Sequence, residues 1–331
     1  MRFSPANRLC RTFAPRLLGL FCGLALASAQ AFARDLYVDN VAGDNRWLAN
    51  APQSGAAARS GPVRTIQRAL QLAVSGDRIV LIKNEEPYRE SISLVGSRHS
   101  GSVIRPFVIE GNGCKLSGTV APDDQAWETV SPDVYRVRIQ RLYYQQLFLA
   151  GQPAVRQPQS LGDHPGNVLQ PLEWQLADGF LYFRTEPNKL PLDYQPSYAQ
   201  LTVGVTLYQV QGVVVRDLIL QGFHLDGVQA HDAGWQDPVV LAGLTARGNG
   251  RAGIALNGAA GVAIDGCLVG NNGHAQVLVD GPGAASVTNS NLLANTAPRF
   301  VLNRGGQARV EGQPVTPAEL KQEPAGTELP E

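Results

Sequence analysis

A 23-residue repeat in the last third of the chain is the feature that most restricts how this sequence can fold. Within each unit, apolar residues alternate with small or polar ones, as they do in β-strands. Units this short cannot bury an apolar face alone, so they must stack into a continuous core. The sequence therefore predicts an all-β fold, a parallel β-helix with coils of about 23 residues. The apolar columns are Leu241, Ile264, Val287 and Val310; Ile254, Val277 and Phe300; and Leu256, Val279 and Leu302.

A polar column shares this spacing and consists of Asn249, Asn272 and Asn295. Amide side chains stacked at a turn can hydrogen-bond to neighbouring coils, so we expect a structural role for the column. An earlier coil joins at a spacing of 26, with Val228 preceding Ile254. The three extra residues are predicted to lie in the loop after His231.

The N-terminus is typical of an export signal. An apolar run of 11 residues, Leu17 to Ala27, is followed by the small-x-small site Ala31-Phe32-Ala33. The run is short for a membrane span of about 20 residues. We therefore expect residues 1–33 to be cleaved, giving a periplasmic or secreted protein whose mature chain has no integral membrane segment. The basic residues before the run are Arg2, Arg8, Arg11 and Arg16.

Charge and cysteine content narrow the functional classes. The whole chain has 28 basic and 28 acidic residues, and losing four arginines with the signal leaves a net charge of −4. With only four lysines and no basic stripe, nucleic-acid binding is not expected. Cys114 and Cys267 would remain, several coils apart and too distant to form a disulfide. We expect the mature protein to be a monomer.

An amphipathic helix is predicted near the start of the mature chain. Ile66, Ala69, Leu70 and Ala73 share one helical face, and Gly76 ends the helix. Strands are predicted at Leu36–Asn40, Ile79–Ile82 and Tyr88–Leu94. A helix ahead of the first coil suits a cap, because an open solenoid end exposes core and strand edges.

This N-terminal segment, together with the coils at 201–312, resembles exported right-handed parallel β-helix proteins of the pectin-lyase-like superfamily. The matching stretches read YVDN, GDN, GPVRTIQRAL, SGDRIVLI and EPYRESISL. The resemblance implies the right hand of the helix, which agrees with the general hand of parallel crossovers. The superfamily includes polysaccharide lyases, glycoside hydrolases, epimerases and proteins without assigned activity. The resemblance therefore indicates the fold and does not indicate which reaction is catalysed.

The coil pattern predicts five segments. These are the signal peptide at 1–33, the cap and first coils at 34–120, a β-rich insertion at 121–200, further coils at 201–312 and a flexible Pro/Glu-rich tail at 313–331. The insertion contains a predicted hairpin at Ala177-Asp-Gly179 and eight Trp and Tyr residues. Its aromatic rings could form a separate core or stack on sugar faces. A short capping helix is predicted at 317–322.

Candidate chemistry concentrates around the enlarged loop, because long loops on a rigid scaffold commonly carry function. A lyase acting on a polyuronide needs a positive group for the substrate carboxylate and a base to remove a proton. Arg251 and His231 are the candidate catalytic residues. Trp235, Arg247 and His274 are candidate substrate-binding residues. Asp226, Asp232 and Asp237 are candidate ligands for Ca²⁺.

The leading hypothesis is an exported protein that binds an extended, acidic polysaccharide and cleaves it by lyase-type β-elimination. The alternatives are a non-catalytic carbohydrate-binding or surface protein and a glycoside hydrolase, which would need two carboxylates across the scissile bond. A purely structural role is the alternative for these candidate residues, since histidines and aspartates in turns often only stabilise the turn. No zinc-type ligand spacing and no dinucleotide fingerprint is present in the sequence.

Overall fold

The computed structural model describes residues 33–55, 59–140, 143–157, 166 and 168–316. The elements up to residue 199 are β1 (Asp35–Val38), α1 (Ile66–Leu72), β2 (Arg78–Leu81), β3 (Ile92–Val95), α2 (Gly96–His99), β4 (Phe107–Ser117), β5 (Thr119–Val120), β6 (Glu128–Ser131), β7 (Val134–Arg138), β8 (Leu147–Leu149), β9 (Gln152–Pro153), β10 (Val155–Arg156), β11 (Glu173–Ala177), β12 (Phe180–Arg184) and β13 (Pro196–Ala199), with 3₁₀ turns at Asp124–Ala126 and Pro191–Tyr194. The later strands are β14 (Val203–Tyr208), β15 (Val213–Gln221), β16 (Asp226–His231), β17 (Val239–Ala242), β18 (Thr245–Arg247), β19 (Ala252–Asn257), β20 (Gly261–Asp265), β21 (Leu268–Gly270), β22 (Ala275–Asp280), β23 (Ala284–Thr288), β24 (Asn291–Leu292), β25 (Phe300–Asn303), β26 (Gln307–Val310) and β27 (Gln313–Pro314).

The protein is mostly β, and its two largest sheets are built from parallel strands. A six-stranded sheet has the order β3-β14-β16-β19-β22-β25. A twelve-stranded sheet runs β1-β2-β4-β15-β17-β20-β23-β26-β27, with β18, β21 and β24 continuing beside it. Only the last pair, β26 with β27, is antiparallel in these two sheets. Parallel neighbours need a long connection. Between β1 and β2 this connection holds α1, and from β2 onward the chain passes through the other sheet before it returns.

The register of the sheets follows the spacing in the sequence. Ile254 lies opposite Val277, which lies opposite Phe300, and Leu241 lies opposite Ile264. The 26-residue spacing also holds, since Val228 pairs with Ile254. The three extra residues lie between the end of β16 and the start of β17, as predicted.

The apolar columns from both sheets meet in one buried core. Val228, Ile254 and Val277 of the six-stranded sheet and Leu241 and Ile264 of the other sheet have no exposed surface. Burying such a side chain contributes about 1.5–3 kcal/mol relative to leaving it in water. The core therefore extends along the stack, and no single pair of strands forms it.

The asparagine column is structural, as predicted. The Oδ1 atom of Asn249 accepts a hydrogen bond from the backbone N–H of Phe223 at 3.1 Å, one strand back along the stack. The Oδ1 of Asn272 accepts from the N–H of Asn249 at 3.0 Å, and that of Asn295 accepts from the N–H of Asn271 at 3.0 Å. Each amide thus satisfies a buried backbone donor of the preceding turn.

The predicted N-terminal helix is present as α1. Thr65 caps it by accepting a hydrogen bond from the N–H of Arg68, and Ile66, Ala69 and Leu70 are buried. The helix packs against β1 and β3, the edge strands of the two large sheets. One predicted strand is shorter than expected, because it begins at Ile92. Tyr88 instead buries its ring and donates its hydroxyl to the carbonyl of Ile82 at 2.8 Å.

The predicted β-rich insertion carries two smaller sheets. One is five-stranded with the order β10-β11-β12-β7-β6, and the other is four-stranded with the order β5-β13-β8-β9. The predicted hairpin is confirmed, since Ala177 pairs with Phe180 across Asp178 and Gly179. Both turn residues have positive φ, at 51° and 84°, which suits a tight hairpin turn. Trp174 and Phe183 are fully buried in a separate core.

Three predictions concern segments that the structure does not describe. The signal peptide at 1–33 lies almost entirely outside the described residues. The short helix at 317–322 and most of the tail at 313–331 also lie outside them. Within the described part of the chain, no helix has the length and apolar character needed to cross a membrane.

Candidate functional site

A cleft of about 1080 Å³ lies between the insertion and the turns that precede β19 and β22. Residues 143–157 and the hairpin at 177–179 form one wall. Gly250 and the segment from 271 to 274 form the other. The two walls approach closely because Gly250 has no side chain, since a Cβ atom there would overlap the carbonyl oxygen of Tyr144. The turn at Gly248-Asn249-Gly250 thus leaves room for the insertion to pack against it.

The cleft combines aromatic, basic and polar side chains. Tyr143 is 84% exposed, and the ring of Tyr144 meets the ring of His274 edge-on with centroids 6.2 Å apart. The guanidinium of Arg156 lies 5.3 Å from the centre of the Trp174 ring, a cation–π contact. Burial lowers the pKa of Arg156. Among the described residues, Arg156 has no ion pair, so its charge is available to a ligand.

A buried ion pair lies beside this cleft. Arg251 donates from Nε to Oδ1 of Asp226 at 2.9 Å and from Nη2 to Oδ2 at 2.5 Å. The N–H of His274 donates to the carbonyl of Arg251 at 2.8 Å, which ties the pair to the cleft wall. Burial raises the pKa of the Asp226 carboxyl, and Arg251 opposes this shift. The hydrogen bonds that Arg251 donates to Asp226 raise the pKa of Arg251.

This pairing argues against Arg251 as the base of an elimination reaction. An arginine must lose its proton to act as a base, and arginine is almost always protonated in proteins. The contact with Asp226 stabilises the protonated form further, because a carboxylate favours a charged neighbour. Arg251 can instead hold Asp226 in place through these hydrogen bonds. The part of its positive charge that Asp226 does not neutralise can still attract an anion.

The three aspartates predicted as a Ca²⁺ site do not come together. Asp226 starts β16, whereas Asp232 and Asp237 follow the other end of this strand, roughly 16 Å away at about 3.3 Å per residue. Asp232 instead accepts a hydrogen bond from the N–H of Ala259 at 2.8 Å. The part of the chain that the structure describes contains no cluster of three or more metal-ligating His, Cys, Asp or Glu residues. Binding of Ca²⁺ itself stays a prediction.

The remaining predicted residues also separate. His231 ends β16 beside Tyr208, with ring centroids 6.4 Å apart. Trp235 lies in the following turn and is 64% exposed. Arg247 belongs to β18 in the other large sheet, where its Nε donates to Oε1 of Gln221 at 3.2 Å. Of the eight predicted site residues, only His274 lines the cleft, and the pair of Asp226 and Arg251 lies next to it.

Sequence reasoning missed Tyr143, Tyr144 and Arg156 as site residues. The aromatic residues of the insertion fit a separate core equally well, and Trp174 does belong to it. Strand alternation gave no signal for Tyr143 and Tyr144, because both lie in a turn, where Tyr144 has a φ of 54°.

Comparisons with known proteins give a likeness of fold. No protein-family model and no curated protein matches this sequence. A solved structure described as "Glycoside hydrolase" superposes with a TM-score of 0.52 and 10% sequence identity, covering 82% of this chain and 80% of that one. A structure described as "The complex structure of XylC with xylose" has a TM-score of 0.41 and 12% identity, covering 83% and 68%. Membership of the pectin-lyase-like superfamily stays a prediction.

Proposed function

We propose that this protein binds a segment of polysaccharide in the cleft between the insertion and the turns before β19 and β22. The observation that carries the proposal is the joint presence in one large cleft of exposed Tyr143 and of Arg156, which forms no ion pair with a described residue. Flat rings can stack on sugar faces, while polar groups fix the orientation of a ligand. Arg156 favours an acidic sugar, because a guanidinium binds carboxylates through paired hydrogen bonds.

The architecture proposed for this function is a right-handed parallel β-helix. The parallel pairings at 23 and 26 residues support the stacked coils. Crossovers between parallel strands of one sheet are right-handed in almost all proteins, which supports the hand. We further propose that the protein is exported, on the basis of the charged and apolar pattern of residues 1–33.

Glycoside hydrolysis is the second candidate function, favoured over elimination by the state of Arg251 and by a carboxylate in the cleft. Arg251, the expected base of a lyase, is fixed as a cation by Asp226. Asp226 itself has no exposed side-chain surface, so it cannot donate a proton to a sugar. Asp178 is the carboxylate that lines the cleft among the described residues, and it could supply one of the two acidic groups that hydrolysis needs. The fold likeness to a solved glycoside hydrolase agrees with this candidate.

Binding is tested by titrating the protein with oligogalacturonate and with neutral xylo- and cello-oligosaccharides in a calorimeter. We expect saturable binding of at least one ligand, with the affinity reduced about tenfold or more by Tyr143→Ala. Trp235→Ala is the matched control, because it also removes an exposed aromatic ring, but one outside the cleft. No saturable binding, or equal losses in both variants, would contradict the proposal.

The reaction is tested with the same ligands by following reducing ends and ultraviolet absorbance in parallel. Hydrolysis raises reducing ends alone, whereas elimination also produces an absorbing unsaturated end. We expect any activity to raise reducing ends only and to be lost in Asp178→Asn. An absorbance rise that requires Ca²⁺ and disappears in Arg251→Ala would instead establish the lyase reaction.

A further inference from the structure

A second groove, of about 470 Å³, lies on the outer side of the twelve-stranded sheet, next to the four-stranded sheet of the insertion. We call it the lateral groove and define it by Arg89, Lys115, Ser117, Thr119, Gln195, Ser197 and Gln221. It shares no lining residue with the cleft described above. The proposed polysaccharide site does not use it, and of the residues predicted for the lyase site only Arg247 lies next to it, in an adjoining pocket.

The sheet register explains why these side chains lie in one row. Ser117 of β4 pairs with Gln221 of β15, which pairs with Arg247 of β18. On the other side, the N–H of Ser117 donates to the carbonyl of Tyr88, which places Arg89 next to the row. Arg89 and Arg247 are separated by three strand spacings of about 4.8 Å, which is roughly 14 Å. Lys115 lies on β4, two residues before Ser117.

The charge of the lateral groove is positive. Arg89 and Lys115 line it and are exposed, and neither forms an ion pair within the described part of the chain. Arg247 lines a small pocket that shares Gln221 with the groove. Asp124 is the one carboxylate residue in the lining. Two cations against one carboxylate in the lining, with Arg247 in the adjoining pocket, make the row attractive to an anion in a protein whose predicted mature net charge is negative.

The polar frame of the groove is held in place by its own hydrogen bonds. Gln221 is 7% exposed, and its Nε2 donates to the carbonyl of Gly151 at 2.9 Å while its Oε1 accepts from Arg247. Arg89 donates from Nη1 to the carbonyl of Thr119 at 2.8 Å. These bonds join the insertion to the sheet and fix the groove walls before any ligand arrives, which lowers the entropy cost of binding.

We propose that the lateral groove is a second binding site, which takes an oligosaccharide carrying oxyanion groups. A lone oxyanion would fill a small part of 470 Å³ and could contact only one end of the cation row. A polyhydroxylated chain fits better, because the hydroxyls of Ser117, Thr119 and Ser197 and the amides of Gln195 and Gln221 line the space between the cations. The site is independent of the function proposed for the cleft.

The test compares three probes by calorimetry, namely a galacturonate hexamer, its methyl-esterified counterpart and inorganic phosphate. Each is titrated into the protein and into Arg89→Gln, Lys115→Gln and the control Arg309→Gln. The control removes the same charge from an exposed position on β26, outside the groove. Hydrogen–deuterium exchange then locates the bound hexamer by comparing residues 115–119 and 195–199, which include lining residues of the lateral groove, with residues 153–157 and 271–274, which line the cleft.

We expect the hexamer to bind with saturation, to protect residues 115–119 and 195–199 from exchange, and to lose about tenfold in affinity in Arg89→Gln and Lys115→Gln, as charge-assisted hydrogen bonds are removed. The ester should bind at least tenfold more weakly. Phosphate binding as tightly as the hexamer would show a free-ion site and overturn the proposal. Absence of hexamer binding, protection only at 153–157 and 271–274, or equal losses in Arg309→Gln would overturn it as well. Loss of affinity in Tyr143→Ala with the groove variants unaffected would support the cleft and reject the groove.

Discussion

Asp226 and Arg251 form a two-point ion pair between neighbouring strands, with the Asp226 side chain fully buried and that of Arg251 20% exposed. The pair exists because the 26-residue spacing places Asp226 opposite Ala252, the residue after Arg251. A third contact, from the N–H of Ala252 to Oδ1 of Asp226 at 3.2 Å, completes the environment of the carboxylate. Both charges are therefore compensated only while the two strands remain in register.

Removal of one partner of this pair should be strongly destabilising. We expect Asp226→Asn to lower the free energy of unfolding by about 3–5 kcal/mol, because it leaves the guanidinium beside a neutral group in a buried site. Urea denaturation followed by circular dichroism measures this change. The double variant Asp226→Leu/Arg251→Met should recover most of the loss, since a buried pair can be replaced by apolar groups of similar size.

The pair between Asp280 and Arg304 provides the matched control. It joins residues of the same sheet, but its side chains are 26% and 74% exposed. Asp280→Asn should leave the urea midpoint unchanged within error, because exposed pairs contribute little. Equal effects of Asp226→Asn and Asp280→Asn would contradict the importance that we assign to burial.

Asn272 should be the most sensitive member of the asparagine column. Its Oδ1 accepts from both the backbone N–H and the Nδ2 of Asn249, and its Nδ2 donates to the carbonyl of Ala246 and to Oε1 of Gln276. Asn272→Ala leaves these buried groups without partners, so we expect a loss of about 2–4 kcal/mol in unfolding free energy. Asn303→Ala, at an exposed position on β25, should change it little. A mild effect at Asn272 would show that water replaces the amide.

His99 should make stability dependent on pH. Its Nδ1 accepts a hydrogen bond from the N–H of Val95 at 3.1 Å, so this nitrogen must be unprotonated, while Nε2 lies 3.2 Å from the carbonyl of Leu70. Burial lowers the pKa of His99 below its ordinary value of 6.5. The folded state therefore binds this proton less readily than the unfolded chain, and its stability contribution is complete above pH 6.5 and is lost as pH falls through the lowered pKa.

The measurement is the free energy of unfolding at pH 7.5 and at pH 5.5, in the original protein and in His99→Gln. We expect the fall between the two pH values to be smaller in the variant, whatever its absolute stability. An unchanged pH dependence in His99→Gln would assign the effect to other groups.

The two cysteines in the described part of the chain should behave as inert core residues. Cys114 and Cys267 are buried and unpaired, and burial raises the pKa of each thiol to about 11. Because the thiolate is the reactive form, a thiol-specific reagent at pH 8 should modify neither residue in the folded protein. Both should react once the protein starting at Arg34 is unfolded in guanidinium chloride. Rapid modification of the native protein would show that the core opens locally.

Some features of the site were accessible from the sequence and others were not. The enlarged turn after His231 was predicted from spacing, yet Trp235 and Asp237 in it lie away from the cleft. Asp226, Arg251 and His274 were named for their chemical type, and the strand register does bring them together. Arg156 could not be found this way, because nothing in the sequence shows where the insertion packs.

The sequence by itself determined the strand register, the extra turn residues, the asparagine column and the capping helix. These depend on periodicity and local backbone preference, which are written into residues at fixed spacings. Only the tertiary structure decided that Tyr143 and Arg156 face the turns before β19 and β22, and that Arg89 and Lys115 line a second groove. Those contacts join segments without a common period, and they depend on how the insertion docks through close approaches such as that of Tyr144 to Gly250.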